Sequence, residues 1–98
     1  MNARLVGSEL VVGYASYSTD LENNVYGMMV EVMKVIREYI GEKGLNVEKV
    51  KIVHTLRDND GEYVLQITPE EMEKFITLEW GFKEWKSKVL ERISKRVY

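Results

Sequence analysis

The sequence predicts an α+β fold, in which a small and mainly antiparallel sheet packs on a long central helix. Apolar residues between positions 19 and 45 recur at intervals of three and four, which is the period of a helix. On each side of that stretch, segments of alternating apolar and polar residues flank a short turn, as in a β-hairpin. A second helical pattern follows the second hairpin. The order strand, strand, helix, strand, strand, helix (ββαββα) favours an antiparallel sheet with both helices on one side.

Length and composition predict a single domain covering residues 1–98. Hydrophobic residues make up 45% of the chain and charged residues 31%, as in soluble globular proteins. The longest apolar run is far shorter than the ~20 residues that a membrane-spanning helix needs. No basic segment followed by an apolar run marks a secretory signal. We therefore expect a cytoplasmic protein without a membrane partner.

The chain contains no cysteine and one histidine, His54. Disulfides and thiolate metal sites are therefore excluded, and a zinc site within one chain is not expected. Abundant Glu and Lys beside a single Gln are typical of proteins from hyperthermophiles. We expect a thermostable protein of the kind encoded by hyperthermophilic archaea or their viruses.

The first predicted hairpin joins strands over residues 3–6 and 9–17. Gly7 and Ser8 between them suit a two-residue turn that begins with glycine. In the register of that turn, one surface of the hairpin contains Leu5, Leu10, Val12 and Tyr14, and the opposite surface contains Arg4, Glu9, Val11, Gly13 and Tyr17. The alternative is a single strand over residues 10–16 with an irregular start.

The long helix is expected to run from about Asp20 to Lys43. Thr19 and Glu22 are spaced as a capping box, in which each side chain accepts a hydrogen bond from the backbone N–H of the other residue. Gly44 can adopt the left-handed conformation that ends a helix.

The apolar surface of this helix is unusually wide. One row contains Leu21, Val25, Met28, Val32, Val35 and Tyr39, and a second row contains Met29, Met33, Ile36 and Ile40. Together the rows cover about half of the circumference, whereas a surface helix needs a stripe of somewhat over 100°. One small sheet would leave part of this surface exposed. The width therefore predicts self-association, most simply as a homodimer.

The second predicted hairpin joins residues 47–56 and 62–68 through an Asp-rich turn. If Asp60 and Gly61 are the central residues of a type I′ turn, Leu56 faces Leu65 and His54 faces Ile67, and a four-residue loop would keep the same faces. The surface that faces the helix then contains Ile52, His54, Leu56, Tyr63, Leu65 and Ile67. The turn lacks the closing glutamate of a calcium-binding loop, so we interpret it as a turn only.

Thr68, Pro69 and Glu71 predict the start of the carboxyl-terminal helix. Near Gly81 the apolar row is displaced by about a quarter turn. Either the helix is kinked there, or a short helix to about Leu78 is followed by a longer one to Val97.

Few residues suggest catalysis. His54 is expected on an apolar sheet face, bonded to a backbone group, and the alternative is a pH switch. The five hydroxyl groups within residues 14–19 are interpreted as a polar strand end, because no base or oxyanion site accompanies them in the sequence. We therefore expect no enzymatic activity, no cofactor and no small-molecule substrate.

Residues 83–98 contain six basic and two acidic side chains, a net charge of +4 within a chain of net charge −2. On a helix, Lys88, Arg92 and Lys95, with Arg96 beside them, could follow nucleic-acid phosphates. The alternatives are a solvated face whose cations complement the helix dipole, or contact with an acidic partner.

The predicted function is that of a structural or protein-interaction module that forms a homodimer. Broad apolar helix surfaces and tryptophans are typical of interfaces. The expected interface residues are Met29, Met33, Trp80 and Trp85. The alternative is a small DNA- or RNA-binding regulator that uses the basic carboxyl-terminal helix.

Overall fold

The computed structural model describes residues 1–16, 22–57, 61–86 and 94–96. Its strands are β1 (Asn2–Val6), β2 (Glu9–Ser16), β3 (Lys49–Leu56), β4 (Gly61–Ile67) and β5 (Ser94–Arg96). Its helices are α1 (Glu22–Lys43), α2 (Pro69–Ile76) and the short α3 (Phe82–Glu84). The predicted α+β class is confirmed.

The strands form one sheet in the order β1-β2-β3-β4-β5. β2 and β3 are parallel, and the other neighbouring pairs are antiparallel. The sheet is therefore mixed, and the parallel pair was not predicted. It follows from the position of α1 in the chain, because a helix between two adjacent strands returns the chain to the same end of the sheet.

The register of the first hairpin is the predicted one. Ala3 lies opposite Val12 and Leu5 opposite Leu10, which excludes the alternative of a single strand. Gly7 has a φ of 62°, a value that glycine adopts at little cost.

In the second hairpin the prediction of the faces is confirmed, but the predicted pairing is wrong. Leu56 lies opposite Gly61 and His54 opposite Tyr63, so the connection is four residues long. The shift leaves every side chain on its predicted face, because it moves the strand by an even number of residues. The predicted Asp-Gly turn includes Asp60, which lies outside the described residues.

One face of the sheet and the apolar sides of α1 and α2 form the core. The sheet contributes Leu10, Val12, Val50, Ile52, Leu65 and Ile67, and the helices contribute Val25, Met29, Met33, Ile36, Met72 and Phe75. The fully buried Trp85 completes this cluster from the segment after α3.

The ends of the helices follow local sequence signals. Gly44 has a φ of 62° where α1 ends, and the Leu45 N–H donates to the Ile40 carbonyl at 3.2 Å. The predicted start of α1 at residues 19 and 20 lies outside the described residues. At α2 the capping box is formed, since the Glu71 N–H donates to Thr68 Oγ1 at 3.2 Å and the Thr68 N–H to Glu71 Oε1 at 3.1 Å.

The carboxyl-terminal helix is broken, as one of the two alternatives predicted. α2 ends at Ile76, and Leu78 follows with a φ of 64°. The predicted continuation of the helix to Val97 is wrong at residues 94–96, which form β5 and pair with β4. Pairing there satisfies the backbone groups at the outer side of β4, and this requirement outweighs a helical periodicity in the sequence.

Candidate functional site

A chain of three polar side chains lies between the sheet and α1. The His54 ring, on β3, has no exposed surface. Its Nε2 lies 2.5 Å from Ser16 Oγ, and its Nδ1 lies 3.0 Å from the Tyr14 hydroxyl. Both partners belong to β2, so the side chains of two parallel strands hold the ring on both nitrogens.

The strand register explains this contact. Tyr14 is the direct neighbour of His54 in the parallel pair, with ring centroids 4.7 Å apart, and Ser16 follows two residues later on the same side. Tyr63 of β4 lies on the other side, with its ring centroid 6.3 Å from that of His54. Sequence reasoning missed the two hydroxyl partners, because it did not place β2 beside β3.

Hydroxyl groups suit a buried imidazole ring, because each can donate or accept a hydrogen bond. A neutral imidazole offers one donor and one acceptor, and the two hydroxyl groups can satisfy both. Burial raises the pKa of the Tyr14 hydroxyl, which keeps the phenol neutral. In serine hydrolases the corresponding third residue is a carboxylate that stabilises the imidazolium. Tyr14 supplies no such charge, so the three side chains do not reproduce that arrangement.

A groove runs between α1 and β1, and we call it the α1–β1 groove. One part is a cavity of about 580 Å³ lined by Met1, Tyr14, Asn24, Gly27, Met28, Glu31 and Val32. The adjoining part has a volume of about 210 Å³ and is lined by Met1, Ala3, Val12, Val35, Ile36 and Tyr39. Most of the lining is apolar, and Met1 belongs to both parts.

One wall of the groove is an apolar row on α1 formed by Met28, Val32, Val35 and Tyr39, which we call the α1 row. Val35 is 47% exposed and Tyr39 is 37% exposed, while the other two are half-buried. The neighbouring row is buried, since Met29 and Met33 have no exposed surface. The expectation that the sheet would cover only part of the apolar width of this helix is thus confirmed.

The residues expected at an interface lie elsewhere. Met29, Met33 and Trp85 are fully buried in the core of one chain, so a partner cannot reach them in this conformation. Trp80 is half-buried against Phe75, with ring centroids 5.3 Å apart. These residues were selected because apolar periodicity alone does not separate a row that the sheet covers from one that it leaves exposed.

The basic residues expected to bind nucleic acid are only partly placed. Lys88 and Arg92 lie outside the described residues, whereas Lys95 and Arg96 belong to β5. A helical stripe from Lys88 to Lys95 is therefore not formed. Nucleic-acid binding stays a prediction.

Within the part of the chain that the structure describes, no helix is long and apolar enough to cross a membrane. Among the same residues, no three acidic or histidine side chains are grouped so that they could hold a metal ion. No protein-family model, curated protein or solved structure matches the chain, so its function has to be argued from its own geometry.

Proposed function

We propose that this protein is a non-enzymatic interaction module that forms a twofold dimer by pairing the β1 strands of two copies. The observation that carries the proposal is the position of β1. Among the described strands it is the outermost one of the sheet, with β2 on one side only, and all five of its residues are exposed.

An open strand edge presents backbone N–H and C=O groups that another strand can pair with. The two-residue turn makes Val6 and Glu9 the hydrogen-bonded pair that closes the first hairpin. Because such pairs alternate along an antiparallel ladder, the backbone groups of Ala3 and Leu5 point away from β2. They are the donors and acceptors that a second strand would use.

β1 lacks the features that usually protect an edge. Proteins block such edges with proline, with several charged side chains or with a bulge. β1 contains no proline, its pairing with β2 is uninterrupted, and Arg4 is its one charged residue. Leu5 is 43% exposed and Val6 is 54% exposed. Pairing with a second copy would cover the open edge and would place a residue of the other copy beside Leu5.

The single charge disfavours the register that is centred on Arg4. If Arg4 paired with Arg4 of the other copy, two like charges would lie opposite each other, which is destabilising. Placing Ala3 on the twofold axis instead pairs Arg4 with Asn2 and Leu5 with Met1 of the other copy. In this register the backbone groups of both Ala3 and Leu5 form hydrogen bonds with the other copy.

A cysteine-free chain allows a direct test, because each introduced thiol is then the only one. In the proposed register, Asn2 and Arg4 of the two copies form a non-hydrogen-bonded pair with Cα atoms about 4.5 Å apart, a distance that suits a disulfide. Mixing Asn2→Cys with Arg4→Cys under mild oxidation should give a cross-linked heterodimer, and neither variant alone should cross-link efficiently. Leu78→Cys, at the exposed turn after α2, is the control.

Light scattering after gel filtration gives the second measurement. A monomer at all accessible concentrations would refute the dimer. A dimer in which Asn2→Cys alone cross-links would refute the register, because that variant keeps Arg4, and a dimer without any cross-link through β1 would refute the edge as its contact.

A further inference from the structure

In the described part of the chain, the helices leave β1, at one end of the sheet, without cover. α1 packs over β3 and against α2, whereas the underside of β1 borders the open α1–β1 groove. The core side of β2 is covered, since Leu10 and Val12 are 1% exposed, so the uncovered strip beside α1 is the underside of β1, where Leu5 is 43% exposed.

The groove is long enough to hold a helix of about three turns. The α1 row spans the eleven-residue step from Met28 to Tyr39, or about 17 Å at 1.5 Å per residue. This distance corresponds to about three turns of a helix lying alongside. The spacing of the α1 row, four, three and four residues, is the spacing at which two helices pack along a common seam.

The outer rim of the groove is acidic. Glu31, Glu38 and Glu42 each follow a member of the α1 row by three residues, which places them in one stripe beside it. Glu31 also lines the larger part of the groove. Lys34 neutralises part of this charge, since its Nζ lies 3.1 Å from Glu31 Oε1. Three carboxylates against one ammonium group leave the rim negative.

We propose that the α1–β1 groove binds a basic amphipathic helix of a partner protein. The apolar side of that helix would lie on the α1 row and on the underside of β1, and its Lys or Arg residues would lie along the rim of Glu31, Glu38 and Glu42. The inference rests on the proposed function only in taking the protein as an interaction module, because the pairing of β1 strands would use backbone groups at the sheet edge, whereas the groove lies on the face of the sheet.

The probe is an 18-residue peptide with leucine at helical spacing on one side and lysine elsewhere, and its counterpart carries glutamate in place of lysine. Fluorescence anisotropy of the labelled peptides measures binding to the full chain. The lysine peptide should bind at least tenfold more tightly than the glutamate peptide. The double variant Glu38→Lys with Glu42→Lys should reduce or reverse that preference.

A matched pair of variants separates binding in the groove from attraction between opposite charges. Val35→Asp adds a carboxylate to the α1 row, and Leu78→Asp adds one at an exposed position outside the groove. Non-specific attraction would persist or increase in both variants. Binding in the groove should be lost, by at least tenfold, in Val35→Asp alone, with circular dichroism confirming that both variants are folded.

Equal binding by the two aspartate variants would overturn the proposal, and so would the absence of binding by the lysine peptide. It would also fail if the peptide split the dimer, because the groove would then belong to the second copy. Cross-linking of Asn2→Cys with Arg4→Cys in the presence of the peptide reports on the dimer separately. Failure of the groove proposal therefore leaves the proposed function intact, and the reverse also holds.

Discussion

The hydroxyl group of Tyr14 on β2 lies 3.0 Å from Nδ1 of His54 on β3, across the one parallel strand pair of the described sheet. This hydrogen bond joins the two hairpins through side chains, in addition to the backbone ladder. His54 is fully buried, so any change that removes a partner leaves a polar atom of the ring without water.

Tyr14→Phe should destabilise the protein by about 1–3 kcal/mol, the usual cost of leaving a buried polar group unsatisfied. Urea unfolding should show a lower midpoint with an unchanged slope. Tyr39→Phe is the control, because it removes a hydroxyl group from a partly exposed tyrosine on α1. Equal midpoints for the two variants would contradict a structural role for the contact between Tyr14 and His54.

Stability should fall in alkaline solution. Burial raises the pKa of Tyr14 in the folded state above its ordinary value of about 10. The contribution of this group to stability is therefore complete below about pH 10 and is lost as the pH rises towards the folded-state pKa. Burial, and then the nearby Glu84 carboxylate, raise the pKa of Tyr26 as well. Urea midpoints measured between pH 8 and 11 should decrease less steeply in Tyr14→Phe than in the unmodified chain.

Two glycines should respond to alanine in opposite directions. Gly7 has a φ of 62°, so Gly7→Ala should cost about 1–2 kcal/mol. Gly27 lies within α1, and a Cβ atom there would meet nothing within 4 Å. Gly27→Ala should therefore stabilise the protein by up to about 1 kcal/mol. Thermal unfolding of both variants checks the difference. A loss of stability in Gly27→Ala would contradict the expectation that a Cβ atom is accommodated at this helix position.

Trp85 should tolerate phenylalanine better than alanine. Its ring is fully buried, and Nε1 has no hydrogen-bond partner among the described residues. Trp85→Phe removes this unsatisfied donor while losing some volume, so the two effects oppose each other. Trp85→Ala should cost about 3–5 kcal/mol because it leaves a large cavity. Urea unfolding measures both losses, and comparable losses in the two variants would contradict the expectation that phenylalanine is tolerated better.

Nucleic-acid binding by the carboxyl-terminal segment can be tested independently of the fold. If the basic residues contact phosphates, retention on a phosphate-bearing matrix should fall with salt and be lost when Lys88, Arg92 and Lys95 become Glu. A triple change of Lys43, Lys49 and Lys51 to Glu is the control of equal charge. Unchanged retention in the first variant, or equal loss in both, would exclude specific phosphate contacts by the segment.

Local patterns predicted much of this fold. The first hairpin, the faces of β3 and β4 and the cap of α2 depend on residues close together in the sequence, so turn chemistry and alternation were sufficient. The pairing of β2 with β3 depends on residues 40 positions apart, such as Glu9 and Lys49, and no local signal specifies it. For the same reason β5 was predicted as helix.

The candidate sites show the same limit. The partners of His54 could have been predicted only from the parallel register, which places Tyr14 beside it. The excess apolar width of α1 was visible in the sequence. Which of its two rows stays exposed was not, because that depends on where the sheet ends relative to the helix.

The parallel pairing of β2 with β3 also affects how the chain folds. Each hairpin closes over a short connection, but joining β2 to β3 closes a loop of about 40 residues, and its entropic cost must be met before the new contacts form. The two hairpins should therefore form early and independently, with their union as the slow kinetic step. Changes at Leu10 or Val50, which lie opposite each other in that pairing, should slow refolding more than changes within either turn.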